Sequence, residues 1–329
     1  MPDILIIGVI VLALAFDYIN GFHDTANAIA TSVSTRALTP RVAVWLAAGL
    51  NFAGAMYSTG VAKTIGGEIV KSAQMVNEPI LIAAMFGAIV WNLLTWWFGI
   101  PSSSSHALIG GVMGAVLVAK GAMALNLTGI LKIVASLIFS PVIALISGMI
   151  IMTLIFWIFS RVSPSKMNNK FRRLQIVSAA MMAFSHGSND AQKAMGIITL
   201  ALVSVGFLPT LEVPIWVKMA AATAMGLGTA AGGWRIIKTM GGKIFKLEPP
   251  SGFAADLNSS LVIFGATLLH LPVSTTHVVS GSIMGVGTAK RINAVRWGVA
   301  QQMLAAWVLT IPSTAAVSAL AYKVIAFLF

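Results

Sequence analysis

The chain has 329 residues, of which 58% are hydrophobic and only 9% are charged. Soluble domains carry roughly 25% charged residues, so this composition excludes a hydrated globular surface and defines a polytopic membrane protein. The net charge of +12 fits basic cytoplasmic loops rather than a nucleic-acid surface, and the absence of cysteine excludes disulfides and thiolate metal sites.

In chain order, apolar segments of crossing or half-crossing length fall at 4–19, 24–38, 42–62, 80–100, 105–119, 131–160, 174–187, 190–208, 214–232, 254–270, 276–289 and 298–328. The expected fold is all-α, with roughly 10–12 membrane segments. Several are too short to cross alone and meet a neighbour at Gly, Pro or Ser, which predicts broken or re-entrant helices. The first segment lacks a basic N-terminal flank and reads as a retained helix rather than a signal peptide. The last is one helix, or two broken at Pro312. Between 161 and 173 stand Arg161, Lys166, Lys170, Arg172 and Arg173 with no acid. This stretch is expected to be a basic cytoplasmic loop joining a first repeat, 1–160, to a second, 174–329.

The halves echo each other. Gly21-Phe22-His23-Asp24-Thr25-Ala26-Asn27-Ala28 returns as Gly187-Ser188-Asn189-Asp190-Ala191-Gln192-Lys193-Ala194, at an offset of 166 residues from Gly21 to Gly187 and from Asp24 to Asp190. Pro101-Ser102-Ser103-Ser104-Ser105-His106 returns as Pro272-Val273-Ser274-Thr275-Thr276-His277, at an offset of 171 residues from Pro101 to Pro272. A weaker pair, Lys63-Thr64-Ile65-Gly66-Gly67 and Lys238-Thr239-Met240-Gly241-Gly242, lies between them. Loop charge bears on orientation. The loop at 63–78 balances Lys63 and Lys71 against Glu68 and Glu78. Its counterpart sets Arg235, Lys238, Lys243 and Lys246 against Glu248 alone. Equivalent loops of unlike charge belong on opposite faces, the pattern of an inverted-topology repeat.

Pro101 and Pro272 interrupt a helix but are tolerated at its start, and Ser and Thr are good N-caps. Each serine run therefore predicts a helix N-terminus, whose free N–H groups and positive dipole end favour an anion. Hydroxyls of Ser103, Ser104, Ser105, Ser274, Thr275 and Thr276 add donors without charge. Two such ends make a cradle for a tetrahedral oxyanion. Acids inside apolar segments are functional by default. Asp24, Asn27, Asn189 and Asp190 offer hard oxygen ligands to a cation, and an Asp can equally carry a coupling proton. Lys193 takes the place of Asn27 in the second copy and can pair with an Asp, touch an anion or reach an interface. His106 and His277, after the hydroxyl runs, either contact substrate or pack helices, and His23 and His186 share that ambiguity. Trp and Met are read as interface anchors and packing. No nucleophile–base–acid set marks an enzyme.

These four segments resemble the signature motifs of the inorganic phosphate transporter (PiT) family, and the likeness extends over essentially the whole chain. The resemblance implies import of inorganic phosphate, or of a metal-phosphate complex, across the cell membrane by cation symport and alternating access. It also implies one transport domain and one scaffold, both drawn from the two halves, and a homodimer. Phosphate oxygens would meet the hydroxyl runs. The coupling ion, Na+ or H+, would be held by Asp24, Asn27, Asn189 and Asp190, with Na+ at Asp24, Asn27 and Asp190, and no other cofactor is implied. His106, His277, Lys193 and Asn51 stand as accessory candidates. Animal sodium-coupled members carry Glu in the helix after each signature; here the equivalents are Asn51 and a position near Ala224, so Na+ and H+ both remain open. The short link between halves is the compact, prokaryotic style. The nearest alternative is a sulfate permease of the same fold, and after it an anion channel.

Overall fold

The structure, a computed structural model, describes residues 2–328. Its regular elements are helices, apart from one isolated antiparallel bridge between Val70 and Leu125. The first half contains α1 (Pro2–Ser34), α2 (Pro40–Ala55), α3 (Gly60–Glu68), α4 (Glu78–Phe98), α5 (Ser104–Lys120) and α6 (Leu127–Ile158). The second contains α7 (Pro164–Asp190), α8 (Gln192–Ser204), α9 (Ile215–Ala231), the short α10 (Trp234–Lys238) followed by a π turn, α11 (Pro249–Leu268), α12 (Thr275–Lys290) and α13 (Trp297–Leu328). Among the described residues, α1, α4, α6 and α13 are long and apolar enough to cross a membrane, and α2 with α3 makes one more pair, bent by 67°. The remaining helices are shorter or more polar than a lone crossing segment.

Several boundaries differ from expectation for identifiable reasons. The expected segments 4–19 and 24–38 are one unbroken helix, α1. Gly21 does not interrupt it, because a single glycine costs a helix only about 1 kcal/mol and serves here for close packing. A Cβ on Gly21 would stand 2.6 Å from the Met225 carbonyl of α9. The second copy does break, between Asp190 and Gln192, and there Gly187 brings α7 against α2, with a Cβ placed 2.1 Å from the Asn51 carbonyl. The expected loop at 161–173 is mostly helix. Pro164 sits in the first turn of α7, where its fixed φ is favourable, and the Lys, Arg and Gln residues that follow are good helix formers. Pro312 lies inside the single helix α13, as Pro141 lies inside α6.

Packing is reciprocal between the halves. Helix α1 lies on α9 while α7 lies on α2; α5 lies on α13 while α12 lies on α6; α3 meets α8 while α10 and its π turn meet α1. Small residues let these pairs approach closely, as lipid-embedded helices require. Gly114 abuts the Ala315 carbonyl and its counterpart Gly285 abuts that of Leu145. The two apolar cores are consequently mixed. One joins Phe16, Ile65, Met85 and Leu108 to Ile198 and Val217; the other joins Ile29 and Val44 to Met182, Ile263 and Ile283. Outward faces of α6 and α13 carry Ile138, Phe139, Val308 and Leu309, all exposed and apolar. Trp45, Trp97 and Trp157 are exposed close to helix ends, the position of interfacial anchors. Trp307 is buried instead.

The close approach at Gly187 is testable. Gly187→Leu should cost about 1–3 kcal/mol or more, the overpacking range, and lower the melting temperature of the detergent-solubilised protein. Gly49→Leu, where a Cβ meets nothing within 4 Å, should melt like the parent. Equal melting of the two variants would show that the α2–α7 contact is not tight.

Candidate functional site

Both hydroxyl runs open helices, as their Pro-Ser pattern predicts. Ser103 is the N-cap of α5, its Oγ accepting from the His106 N–H at 3.1 Å, and Ser274 is the N-cap of α12, accepting from the His277 N–H at 3.3 Å. These two hydroxyls satisfy helix-end donors. Ser105 donates to the Val273 carbonyl at 2.8 Å, linking the two helix starts. Ser104, Thr275 and Thr276 turn toward the acidic motifs.

There the two halves mesh. Ser104 Oγ donates to Asp24 Oδ2 at 3.4 Å, and Thr275 Oγ1 donates to Asp190 Oδ2 at 3.1 Å. Asn27 Nδ2 donates to Thr276 at 2.9 Å and Thr275 at 3.4 Å, while Lys193 Nζ donates to Ser104 at 3.1 Å. Each carboxylate thus meets the helix end of its own half, and each residue three positions later reaches the helix end of the other half. Thr276 also donates to Asp24 Oδ1 at 3.3 Å. Lys193 Nζ lies 2.8 Å from Asp190 Oδ1. No member of this cluster is more than 2% exposed, so the ion pair and its hydroxyls are sealed from solvent. An ion pair away from water interacts far more strongly than one on the surface.

Histidines complete the acid surroundings. His23 Nδ1 lies 2.6 Å from Asp24 Oδ1, and its Nε2 lies 3.3 Å from Thr95 Oγ1. His186 Nδ1 lies 3.0 Å from Asn51 Oδ1, an acceptor, so this ring nitrogen donates and Nε2 faces Asp190 Oδ2 at 3.5 Å. Asn51 also donates to Thr229 Oγ1 at 2.9 Å, so it stands behind His186. Asp24, His186 and Asp190 each offer a ligand atom within 4.8 Å of the others, a donor set suited to a small cation. Asn189 is occupied otherwise. Its Nδ2 donates to Thr267 Oγ1 at 3.0 Å and to the Leu271 carbonyl at 3.3 Å, and its Oδ1 accepts from the Val273 N–H at 3.3 Å. It fastens α7 to the chain entering α12.

His106 and His277 form a pair of their own. Their ring centroids are 4.6 Å apart, and His277 stacks on Trp307 at 3.8 Å. Trp307 Nε1 donates to the Pro101 carbonyl at 3.1 Å. The three rings line an apolar cavity of about 610 Å³ between α6 and α13.

Two buried acids lie outside the sequence motifs. Asp17, two turns before Asp24 on α1, has neither carboxylate oxygen hydrogen-bonded among the described residues. Between them Asn20 donates to Asp190 Oδ2 at 3.3 Å. Asp256 of α11 accepts from Thr31 Oγ1 at 2.5 Å and from Gln175 Nε2 at 3.5 Å. A rule was available for both, since an acid within an apolar segment marks function by default. Neither belongs to the duplicated pattern.

Buried carboxylates facing hydroxyl-rich helix ends across a duplicated bundle define a membrane transport protein for ions. Comparison with known proteins agrees. A model of the phosphate transporter family matches residues 20–318. A probable low-affinity inorganic phosphate transporter of Bacillus subtilis (strain 168) is 55% identical over 99% of this chain and 98% of its own length. One from Rhizobium meliloti (strain 1021) is 47% identical over 97% and 96% respectively. A solved structure described as the sodium-dependent phosphate transporter superposes with a TM-score of 0.89 at 27% identity, covering 99% of this chain and 100% of that one. The chain belongs to the phosphate transporter family and is a multi-pass membrane transporter, not an enzyme.

The tether role of Asn189 predicts a stability effect. Asn189→Ala leaves the Leu271 carbonyl and the Val273 N–H without their partner, at about 1–3 kcal/mol for a buried unsatisfied group. The melting temperature in detergent should fall accordingly. An unchanged melt would free Asn189 to be considered a cation ligand.

Proposed function

We propose that this protein is a secondary active importer of inorganic phosphate in a prokaryotic cell membrane, driven by symport of Na+ or H+ and working by alternating access. The supporting observation is the sealed cluster in which Ser104, Thr275 and Thr276, at two helix starts, stand within hydrogen-bond reach of Asp24 and Asp190. Helix N-termini and hydroxyls suit the oxygens of phosphate. Three carboxylates, Asp17, Asp24 and Asp190, are buried together with one ammonium, Lys193, which pairs with Asp190, while His23 stands against Asp24. Buried carboxylates repel an incoming anion, and a cation beside it offsets that repulsion. Each ligand therefore improves the affinity of the other, which is the thermodynamic content of coupling. The name of the solved relative favours Na+ for the mobile cation, and Asp24, with Asn27 Oδ1 of the same helix, unpartnered among the described residues, is where it would sit.

The reciprocal helix packing supports two repeats, bounded near the α6–α7 connection and related by a two-fold operation; the unlike loop charges favour opposed orientations in the membrane. A transport domain moving against a scaffold, and a homodimer, complete the reading. The substrate is the phosphate anion or its metal complex.

Purified protein in liposomes tests this. Radiolabelled phosphate should accumulate under an inward Na+ or proton gradient, and Asp24→Asn and Asp190→Asn should abolish accumulation while the variants remain folded. Normal uptake by both variants, or accumulation of sulfate in place of phosphate, would overturn the assignment. The helix-end hydroxyls should also separate by role. Ser104→Ala and Thr275→Val should raise the phosphate KM about tenfold or more, the scale of a lost hydrogen bond to a charged group. Ser105→Ala, whose hydroxyl serves the Val273 carbonyl, should change it far less.

A further inference from the structure

The duplication makes one position informative. An offset of 166 residues carries Asp24 onto Asp190 and Asn27 onto Lys193, and an offset of 171 carries Ser104 onto Thr275. The contacts respect both. Asn27 Nδ2 reaches Thr275 at 3.4 Å, and Lys193 Nζ reaches Ser104 at 3.1 Å. Lys193 therefore occupies, in the second half, the place where the first half presents a neutral amide. The chemistry of the two places differs. Asn27 Oδ1 is buried with no hydrogen-bond partner among the described residues, an idle oxygen of the kind that ligates a hard cation. Lys193 is fully buried with its ammonium 2.8 Å from Asp190 Oδ1. A buried ammonium persists only when paired, and a paired one both fills the space and repels a second positive charge.

We propose that the Lys193 ammonium is a resident cation, filling the second half's copy of the coupling-cation position and leaving the Asp24–Asn27 half open to a mobile ion. This rests on the reading of Asp24 and Asp190 as coupling residues. Two consequences follow. The cycle carries one mobile cation fewer than a symmetric pair of sites would carry. Positive charge also stays beside Ser104 when the site holds no mobile ion, so phosphate meets a partly neutralised acid cluster.

Equilibrium binding of ²²Na+ to the purified full-length chain in detergent gives a direct test. Lys193→Asn, which restores the amide of the first half, should bind one more Na+ per chain than the parent. Lys193→Gln serves in its place if the first variant does not elute as a single folded species. Lys193→Arg and Lys193→Met, which keep the charge or supply no oxygen, should bind no more than the parent. An amide variant that is folded and binds the same number of Na+ as the parent overturns the proposal. So does a parent chain that loses two Na+ on Asp24→Asn. Gradient-driven phosphate uptake by the parent protein, measured on the same preparation, tests the underlying reading separately. Its absence would sink cation-coupled transport whatever the Na+ count.

Discussion

The whole arrangement depends on one constraint: an ionised or polar side chain shut away from water must find its partners inside the protein. Asp24, Asp190 and Lys193 are among the most buried residues of the chain. They are tolerable because two helix starts aim hydroxyls at them. Each start is made by a serine cap that follows a proline closely in the chain. The signature glycines contribute from the other side. By letting α9 and α2 close on α1 and α7, they hold the acidic helices against their partners. Sequence pattern, helix packing and site chemistry meet in the same few residues.

Much of this was legible beforehand, because duplication leaves a repeated pattern and because acids among apolar residues stand out. The all-helical class and the N-caps at Ser103 and Ser274 follow from local chemistry. What escaped was whatever depends on tertiary distance. Gly21 read as a break, yet α1 continues through it, since only the position of α9 reveals why that glycine is there. The basic stretch read as a loop because charge suggested solvent, while Pro164 and the helix formers after it were already starting α7. Asp17 and Asp256 also lie in apolar segments, but neither has a counterpart in the other half.

The side chains after the hydroxyl runs teach a similar lesson. His106 and His277 occupy equivalent positions beside the helix ends, which invited a role at the substrate. In the fold their rings turn to one another and to Trp307. Equivalence in sequence placed them together correctly. It could not say that an aromatic ring from α13 would join them.

The break at Ala191 sets the halves apart in one further respect. In a carrier that changes sides by having its two repeats trade shapes, identical repeats make the two end states mirror images of equal free energy. Here one repeat carries its acid inside a continuous rod, α1, and the other at a joint between α7 and α8. If the two halves traded shapes, a continuous helix would have to do what a jointed one does, and the end states would differ in energy. Under the alternating access proposed above, the protein with no gradient imposed would rest facing one compartment more than the other, and phosphate would reach half-saturation at different concentrations from the two sides.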